Sequence, residues 1–452
     1  MRYDVIIIGA GPAGIFSALE LSKRKKSVVI LEKGKDITKR KCPAREEKKE
    51  CQRCKVCEII YGWGGAGAFS DGKLILSPDI GGLLPHFVGT EIDKLIKEVD
   101  KIFLHYGATN EVYGENEDEV EKLQRAALKV DLTLTPSRVR HLGTESCREI
   151  LSNMRRELNG KVDIRTKFDV DEIITEDKKV IGVRGKNGEK IRGKYVICGP
   201  GRGGADWLQK EATRLGLTTK SNPVDVGVRI ELPAVVMEKI TSVVYEPKLT
   251  YYSKYFDDRI RLFCMNPYGE VVTEYSNGIV TVNGHSYKDK KTNNTNFALL
   301  VSTTFTEPFN EPIKYGEYIA SLANMLGKGV IVQRLGDLRS GRRSTHERMQ
   351  RGIVKPTLKD ATPGDLSFIL PYRYLPSILE MLDALDRLAP GVNSPHTLLY
   401  GAEVKLYSLQ LKINSKLETE IKNLYTIGDG GGITRGLVQA AASGLYVGRM
   451  IK

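Results

Sequence analysis

Four cysteines near the start of the chain are spaced as ligands of a metal centre or as redox thiols. They follow the pattern C-x8-C-x2-C-x2-C and are Cys42, Cys51, Cys54 and Cys57. Thiolates at these spacings can hold an iron-sulfur cluster or a tetrahedral zinc ion, and the C-x2-C-x2-C run suits the cluster better than a zinc ribbon. A redox-active disulfide and unligated thiols are the alternatives. The spacing therefore predicts a metal site without fixing the metal.

The other three cysteines are expected to pack in the protein core and to take no part in metal binding or redox chemistry. Cys147, Cys198 and Cys264 are expected to be buried, because an isolated free thiol behaves as a small hydrophobic side chain. Seven cysteines with four in one cluster are typical of a reducing compartment. No apolar run approaches the roughly twenty residues of a membrane span, and the start of the chain lacks the pattern of a signal peptide. We therefore expect a cytoplasmic protein without a membrane span.

A cluster of cations forms the second candidate site. Residues 339–346 combine three arginines with one titratable imidazole. Arg342 and Arg343 could hold a carboxylate or a phosphate by bidentate hydrogen bonds, and His346 could transfer a proton. A solvated turn is the alternative explanation of this segment.

A single arginine inside a predicted strand is the third candidate. Arg229 interrupts the apolar segment 224–232 and is difficult to explain as a surface residue. We expect it to contact the substrate. The alternative is an ion pair with Glu231, which shares its strand face because side chains two residues apart point to the same side of a sheet.

A glycine turn followed by an acidic residue is the strongest candidate for ligand binding. The β-branched run 4–8 predicts a buried strand, which passes into the G-x-G-x-x-G turn of residues 9–14 and then into the periodic segment 15–21. A second buried strand, 27–31, ends at Glu32. Strand, turn, helix, strand and acid in this order are typical of a dinucleotide-binding βαβ unit.

The residue types in that turn determine what it could bind. Gly9 permits the tight turn, Gly11 lets the backbone approach a pyrophosphate, and Gly14 allows the helix to pack closely on the strand. The pyrophosphate would lie at the amino end of the helix, and Glu32 would accept the ribose hydroxyls of an adenosine. A 2′-phosphate is disfavoured because it would meet the Glu32 carboxylate.

Three further glycine-rich segments predict close approaches between backbone and ligand. Residues 62–73 contain five glycines together with Trp and Phe, which a flexible linker seldom carries. Residues 199–204 follow a buried strand and repeat the G-x-G-x-x-G pattern, but no strand ending in an acid follows at the right distance, so we do not expect a second nicotinamide site. Residues 428–432 stand between a short strand, 424–427, and a small-residue helix, 437–451.

The composition is that of a globular protein with two domains. The chain has 452 residues, of which 41% are hydrophobic and 28% charged, which is too long for one small core. The net charge of +13 could indicate an anionic partner. The basic residues are spread along the chain, which disfavours nucleic acid but leaves RNA binding as an alternative.

Hydrophobic periodicity distributes these motifs over alternating strands and helices. Residues 33–58 have no clear period and predict a loop. The predicted helices are two within 91–129 and one each at 141–158, 313–326 and 375–388. The predicted strands are 162–165, a β-meander of 168–175, 180–186 and 190–192, a separate buried strand 194–198, and then 224–232, 249–253, 259–265, 270–274, 278–282 and 297–304.

With these motifs in place, the chain resembles the two-domain, glutathione-reductase-like FAD proteins and, within them, the FAD-dependent dehydrogenase family. The resemblance covers nearly the whole length. It rests on the segments Gly64 to Leu74 (GGAGAFSDGKL), Val226 to Glu231 (VGVRIE), Phe263 to Met265 (FCM), Val282 to Gly284 (VNG) and Pro363 to Leu366 (PGDL).

The resemblance implies tightly bound, non-covalent FAD. It implies that Asp429 binds the ribityl chain or pyrophosphate, that the helix opening at Gly436 faces the flavin pyrimidine ring, and that the backbone at Val170 meets the adenine. A helix dipole at that ring would stabilise negative charge on reduced flavin. The predicted FAD-binding residues are Gly9, Gly11, Pro12, Ala13, Gly14, Glu32, Lys33, Gly64, Gly65, Ala66, Ser70, Asp71, Gly72, Lys73, Val170, Gly199, Pro200, Gly201, Asp429, Gly430, Gly436, Leu437 and Val438.

The expected fold is α/β. A Rossmann-like FAD-binding domain with a parallel central sheet and a β-meander should carry an inserted α+β substrate domain with a mixed sheet. The FAD-binding domain is expected to be discontinuous, over residues 1–85, 136–205 and 402–452. Residues 86–135 should form a helical excursion, and residues 206–401 the substrate domain.

The expected function is that of an FAD-dependent oxidoreductase, a dehydrogenase or reductase. It would transfer a hydride or electrons between flavin N5 and an unidentified small molecule or electron-transfer partner, with the cysteine site as a possible relay. Two alternatives remain at this point. One is a flavin-dependent RNA-modifying or RNA-binding protein, and the other is an FAD and iron-sulfur electron-transfer protein without a small substrate.

Overall fold

The computed structural model describes residues 2–46, 52, 54–276, 278–287, 290–309 and 311–452. The strands are β1 (Arg2–Ile8), β2 (Val28–Glu32), β3 (Lys73–Ile75), β4 (Thr133–Thr135), β5 (Val139–His141), β6 (Asp163–Thr166), β7 (Val170–Glu176), β8 (Lys179–Gly185), β9 (Lys190–Cys198), β10 (Thr219–Lys220), β11 (Val224–Pro233), β12 (Lys248–Tyr252), β13 (Arg259–Asn266), β14 (Glu270–Ser276), β15 (Ile279–His285), β16 (Asn294–Thr303), β17 (Ile331–Arg334), β18 (Thr362–Pro363), β19 (Leu398–Lys405), β20 (Gln410–Leu411) and β21 (Leu424–Thr426).

The α-helices are α1 (Pro12–Ser22), α2 (Pro43–Glu46), α3 (Leu84–Val88), α4 (Glu91–His105), α5 (Glu117–Leu128), α6 (Thr144–Glu157), α7 (Ala205–Arg214), α8 (Ala234–Thr241), α9 (Pro312–Gly327), α10 (Leu335–Arg339), α11 (His346–Gln350), α12 (Tyr374–Leu388) and α13 (Leu437–Met450). Short 3-10 helices cover Ile37–Lys39, Gly65–Phe69, Arg202–Gly204, Leu366–Phe368 and Asp429–Gly431. Among the described residues, none of these helices is both long and apolar enough to cross a membrane.

The chain divides into two compact units. The first comprises Met1–Glu111, Arg140–Asn222 and Tyr407–Lys452, and the second comprises Val112–Val139 and Pro223–Leu406. Of the predicted helical excursion over 86–135, α4 belongs to the first unit and α5 to the second.

The first unit is built on a seven-stranded sheet with a parallel centre. Its strands run in the order β6-β2-β1-β9-β8-β7, and β21 pairs with the far end of β9. The pairs β6·β2, β2·β1, β1·β9 and β9·β21 are parallel, whereas β7, β8 and β9 form an antiparallel meander. Val5, Ile6 and Ile7 are fully buried, as expected for a strand covered on both faces.

One predicted boundary inside this sheet is wrong. Residues 190–192 and 194–198 were expected to form separate strands, but both belong to the continuous strand β9. Its first half pairs with β8 and its second half with β21, while β1 accompanies most of its length. The predicted break falls at Gly193, but this glycine pairs with Tyr3 of β1 and does not interrupt the strand.

Two helices distant in the sequence pack against each other beside this sheet. The hydroxyl of Ser17 on α1 donates to the Gly444 carbonyl on α13 at 2.9 Å. A Cβ added at Gly444 would lie 2.0 Å from the Ala13 carbonyl oxygen, and one added at Gly448 would lie 3.0 Å from Glu20 Cβ. The absence of side chains at both glycines lets α13 approach α1 this closely.

The second unit is organised around an eight-stranded sheet in the order β18-β17-β19-β11-β16-β13-β12-β4. It is antiparallel except for β17 and β18. Alternate residues of β11 divide its faces: Val226, Val228 and Ile230 belong to the apolar core that includes α12, whereas Arg229 and Glu231 occupy the opposite, polar face. β14 and β15 form a separate hairpin.

The predicted fold class is confirmed: a parallel-centred sheet with a meander and a mixed sheet both occur. The long predicted elements are all present, from α4 to α13 and from β11 to β16. The short elements α3, α7, α8 and β17 to β20 were not predicted. They span only 2 to 10 residues, too few for a hydrophobic period to emerge in most of them.

The two glycines of α13 predict a graded effect on stability. Gly444→Ala should lower the free energy of unfolding by about 2 kcal/mol, because its methyl group would meet backbone that cannot yield. Gly448→Ala should cost less, about 1 kcal/mol, because its methyl group would lie 3.0 Å from Glu20 Cβ and 3.3 Å from the Ser17 carbonyl oxygen, which need to shift only slightly, and because alanine favours the helix. Urea denaturation of the two variants measures the difference, and equal losses would contradict this account of the packing.

Candidate functional site

The amino end of α1 presents backbone amides without a side-chain cap. Gly11 is the N-cap residue, and no side chain accepts a hydrogen bond there. Pro12 occupies the first helical position, where its missing N–H costs nothing. Gly9 has φ +94°, and a Cβ at Gly14 would lie 2.0 Å from the Gly9 carbonyl oxygen. The turn therefore needs glycine at both positions, and its uncapped amides can receive an anion.

The Glu32 carboxylate joins three chain segments beside this turn. One oxygen accepts the Ala10 N–H at 2.8 Å, and the other accepts the N–H groups of Gly34 and Gly62, each at 2.8 Å. Glu32 is 5% exposed. A carboxylate has about four acceptor positions, so three bonds to the backbone leave capacity for one further donor, such as a ribose hydroxyl.

Arg40 binds backbone carbonyl groups, whereas Glu32 binds backbone amides. Its role was not predicted from the sequence. It is fully buried, and its guanidinium donates to the carbonyl oxygens of Glu58, Ile59, Trp63 and Gly65 at 2.7–3.0 Å. Burial lowers the pKa of Arg40 to about 10, and the charges of Glu32 and Glu58 oppose this shift. Arg40 stays charged at neutral pH and fixes the loop that brings Gly62 to Glu32.

The glycine-bearing segments converge on the α1 turn. The Gly64 N–H donates to the Ala10 carbonyl at 2.7 Å, and a Cβ at Gly65 would lie 3.1 Å from Gly11 Cα. A Cβ at Gly9 would lie 2.2 Å from the Gly199 carbonyl oxygen. One at Gly430 would lie 2.7 Å from the Gly201 carbonyl oxygen, which adds the last segment to the group.

Open space remains in front of three glycines at this convergence. A Cβ added at Gly11, Gly201 or Gly436 would meet no atom within 4 Å. The three glycines belong to different segments, yet each leaves its backbone accessible on the side where a side chain would stand. A cradle with accessible backbone, an uncapped helix terminus and a buried acid fits an adenine dinucleotide.

Asp429 lies at the far side of the cradle. Its carboxylate accepts the Thr434 hydroxyl at 2.7 Å and the Gly436 N–H at 3.4 Å, and Arg202 Nε lies 3.8 Å away. Burial raises the pKa of Asp429, while Arg202 and the two hydrogen bonds lower it in part. Leu437 and Val438 begin α13, whose N-cap Gly436 has no side-chain cap and whose first turn contains no acid.

Comparison with known proteins gives matches in both units. A model of the FAD dependent oxidoreductase family matches residues 4–40, and a model described as FAD-dependent protein, C-terminal domain-like, matches residues 223–406. The first match covers the turn and acid that frame the cradle. The chain is an FAD-dependent oxidoreductase. Its cofactor is FAD.

A relative matches nearly the whole of this chain. An uncharacterised protein of Clostridium beijerinckii is 28% identical to this oxidoreductase, over 99% of this chain and 80% of its own. Among solved structures, glycine oxidase from Bacillus cereus has 14% identity and a TM-score of 0.41, covering 99% of this chain and 94% of its own. L-proline dehydrogenase from P. horikoshii has 12% identity and a TM-score of 0.41, covering 100% and 93%.

The other predicted cofactor residues of the segment 64–73 lie in two places. Gly64, Gly65 and Ala66 begin the 3-10 turn beside Gly11, whereas Ser70 and Gly72 lead into β3. Lys73 pairs with Asp71 at 2.9 Å, with only 7% and 16% of the two side chains exposed.

The remaining members lie near Glu32 and Gly9 or at the start of β7. Lys33 follows Glu32, lies 4.7 Å above the Tyr61 ring and is 3.7 Å from Asp169. Val170 begins β7 and is 5% exposed. Pro200 lies 3.3 Å from the Cβ position of Gly9, so it belongs to the same convergence.

The predicted catalytic residues all lie in the second unit of the oxidoreductase. Arg342, Arg343 and His346 are exposed at the surface. Arg342 Nε pairs with Asp337 at 2.9 Å, and the Asp337 side chain is buried. Their role toward a substrate stays a prediction.

Arg229 is fully buried, but the partner considered from the sequence is wrong. Its guanidinium forms a bidentate pair with Glu403, at 2.8 Å for both bonds, and donates to Asn296 Oδ1 at 2.8 Å. Glu231 instead accepts from the side chains of Asn294, Thr357 and Tyr400. Glu403 lies on the neighbouring strand β19, so its partnership with Arg229 depends on a strand pairing that spacing does not reveal.

The cysteine predictions have different outcomes. Cys42 and Cys57 are half-buried and Cys54 is exposed, whereas Cys51 lies outside the described residues. In the described part of the chain, no three His, Cys, Asp or Glu side chains are grouped as a metal site requires. The four-cysteine site stays a prediction.

Among the isolated cysteines, Cys147 and Cys198 are buried as expected. The prediction for Cys264 is wrong: it is half-buried, in a bulge of β13 with φ +50°. The bulge interrupts the alternation that would have directed its side chain inward.

Replacing Arg40 should disorganise the loop over Glu32. Arg40→Met should lower the free energy of unfolding by about 3 kcal/mol, because four buried or partly buried carbonyl groups lose their donor. FAD affinity should fall at least about tenfold, since Gly62 and Gly64 depend on that loop. Urea denaturation and FAD titration of apoprotein measure both effects. The matched control is Arg184→Met, a 42% exposed arginine on β8 of the same unit, which should change stability by less than about 0.5 kcal/mol.

The raised pKa of Asp429 predicts that the stability of the apoprotein depends on pH. Because its pKa is raised in the native state, the native state binds the proton more tightly than the unfolded chain does. Its contribution is complete at low pH and is lost as the pH rises above the unfolded pKa of about 3.9. Asp429→Asn should therefore gain stability relative to the parent as the pH rises above about 4. A difference that does not vary with pH would contradict the shift.

Proposed function

We propose that the first unit holds FAD non-covalently across the converging glycine segments and that the second unit supplies the substrate contacts of a dehydrogenase or reductase. The observation that carries the proposal is the open space in front of Gly11, Gly201 and Gly436, three backbone positions from separate segments. Side chains at these places would occupy the cradle.

Each end of the proposed FAD site has its own residues. The diphosphate would be held by the uncapped amides at the start of α1, and the adenosine ribose by the remaining acceptor capacity of Glu32. Asp429 would accept a hydroxyl of the ribityl chain. The amino end of α13 would face the pyrimidine ring, where its dipole favours negative charge.

The chemistry then divides between cofactor and protein. Bound FAD supplies hydride transfer and the ability to exchange electrons singly. The protein binds and orients, and the exposed cations Arg342 and Arg343 could retain an anionic substrate by bidentate hydrogen bonds. His346, three residues further on, could hold or release the accompanying proton.

Arg229 is better suited to positioning than to contact with a substrate. Its donors are engaged by Glu403, Asn296 and the Cys264 carbonyl. Through these bonds it would fix the half-buried bulge at Cys264, which belongs to one of the motifs shared with the FAD-dependent dehydrogenase family. Placement in that family and among the glutathione-reductase-like proteins, and a cytoplasmic location, form part of this proposal.

The glycine at position 11 offers the sharpest test. Gly11→Ala should fold with unchanged stability, because its φ of −76° suits alanine and its Cβ would meet nothing. FAD affinity should fall at least about tenfold, because the methyl group would stand where the diphosphate lies. Gly14→Ala is the contrasting variant, since its Cβ would clash with the Gly9 carbonyl and damage the turn itself.

The purified holoprotein provides the remaining readouts. We expect a yellow protein whose FAD is released on denaturation, and an anaerobic screen of small organic substrates in which one class bleaches the flavin absorbance. Iron and sulfide analysis of the same sample tests the four-cysteine prediction. A colourless protein that takes up no FAD, or a Gly11→Ala variant that binds FAD as tightly as the parent, would overturn the proposal.

A further inference from the structure

The exposed apolar side chains of the protein are concentrated in one unit. Of the large hydrophobic residues that are exposed in the described chain, all but Met450 belong to the second unit. Four of them lie on α9, with exposed fractions of 73% for Tyr318, 41% for Leu322, 69% for Met325 and 50% for Leu326. No other helix of the described chain carries as many.

The four residues form one stripe on α9. They are spaced by four, three and one residues, which places them on a single face of a helix with 3.6 residues per turn. The opposite face is occupied by Ile319, Ala320 and Ala323, which are buried in the core of the second unit. α9 is therefore apolar on both sides, and only one of them is covered within the described chain.

Two charged residues bracket the stripe along the helix. Glu317 lies in α9, five residues before Leu322, and Lys328 is the C-cap residue, six residues after Leu322, so their Cα atoms lie about 7.5 Å and about 9 Å from Leu322 along the axis in opposite directions. Neither has an ion-pair partner among the described side chains, whereas Lys314 pairs with Glu311. With these two glutamates and two lysines, the helix carries no net charge.

We propose that α9 is the contact helix of a dimer of this chain, in which it packs antiparallel on α9 of a second copy about a two-fold axis near Leu322. Such an axis brings the same flank of both helices together. Glu317 then lies at the level of Lys328 of the partner subunit, and the pair occurs twice by symmetry. Leu322 forms the centre, and Tyr318 packs toward Met325 of the partner subunit.

The distribution of charge favours a second copy of this chain, and not an anionic membrane, as the partner of the exposed face of α9. A lipid surface attracts helices whose polar flank is rich in lysine and arginine, but this helix has equal numbers of both signs. Two chains that each carry +13 repel each other at most faces. A neutral apolar face with complementary flanking charges is where that repulsion is smallest.

The size of the contact predicts a weak dimer. Stable interfaces bury about 1,600 Å² in total, and a single pair of helices of 16 residues supplies less than that. We expect association in the micromolar range, with the dimer fraction rising with protein concentration.

Sedimentation velocity of the holoprotein over a range of concentrations tests the apolar centre. Leu322→Arg should raise the dimer dissociation constant more than about tenfold, because it places two like charges at the axis. The matched control is Phe368→Arg, which changes a side chain of 73% exposure elsewhere in the second unit and should leave association unchanged. Flavin content and circular dichroism confirm that both variants are folded.

A charge exchange distinguishes self-association from every other occupant. Glu317→Lys and Lys328→Glu should each weaken dimerisation about fivefold, because each replaces two attractive pairs by repulsive ones. The double variant Glu317→Lys/Lys328→Glu restores opposite charges and should recover the parental dissociation constant. A different partner would not be restored by this exchange.

The outcomes that overturn the inference are specific. A parent protein that is monomeric at all concentrations, a double variant weaker than both single variants, or Leu322-dependent binding to anionic phosphatidylglycerol vesicles without dimerisation would each do so. None of these outcomes affects the FAD proposal, which rests on residues of the first unit.

Discussion

The Glu32 carboxylate is the interaction on which the cofactor cradle depends. A buried carboxylate must be compensated by donors, and here the donors are backbone amides of the first glycine turn, of the segment after β2 and of the loop at Gly62. One side chain thus decides where three pieces of chain meet. The acid that a βαβ unit offers to a ribose is at the same time the structural centre of the first unit.

Arg40 is the positively charged counterpart of Glu32. Its guanidinium donates to backbone carbonyl oxygens, whereas the Glu32 carboxylate accepts from backbone amides, and both side chains contact the same group of loops. A guanidinium suits this task because its planar fork offers five donors in fixed directions. The loop from Glu58 to Gly65 has little regular structure of its own, so these bonds replace the hydrogen bonds that a helix or strand would supply.

Structural features that depend on residues close in the sequence can be predicted from it. Features that depend on contacts between residues far apart in the sequence cannot. The turn between β1 and α1 and the acid at the end of β2 can be located because their glycines, apolar period and order are local. The roles of Arg40 and Glu403 cannot be recognised in this way. Arg40 stands in a charged segment without a period, and Glu403 is 174 residues from its partner Arg229.

The same limit applies to the sheets. The long alternating strands of the second unit are recognisable one by one, but their order across the sheet is set by long-range pairing. The continuous course of β9 depends on β8 and β21 on the same side, two neighbours separated in the chain by residues 223–406 of the second unit.

The packing of α13 on α1 has a consequence for biosynthesis. During synthesis α1 precedes residues 223–406 of the second unit, and α13 follows them. The glycines that let α13 pack on α1 are therefore made only after that stretch. Domains generally fold as units during synthesis, with the earlier one first. Here the helix that packs on α1 is made only after residues 223–406, so the side of α1 that faces α13 stays uncovered until that stretch has been synthesised, and the nucleotide pocket is completed only then.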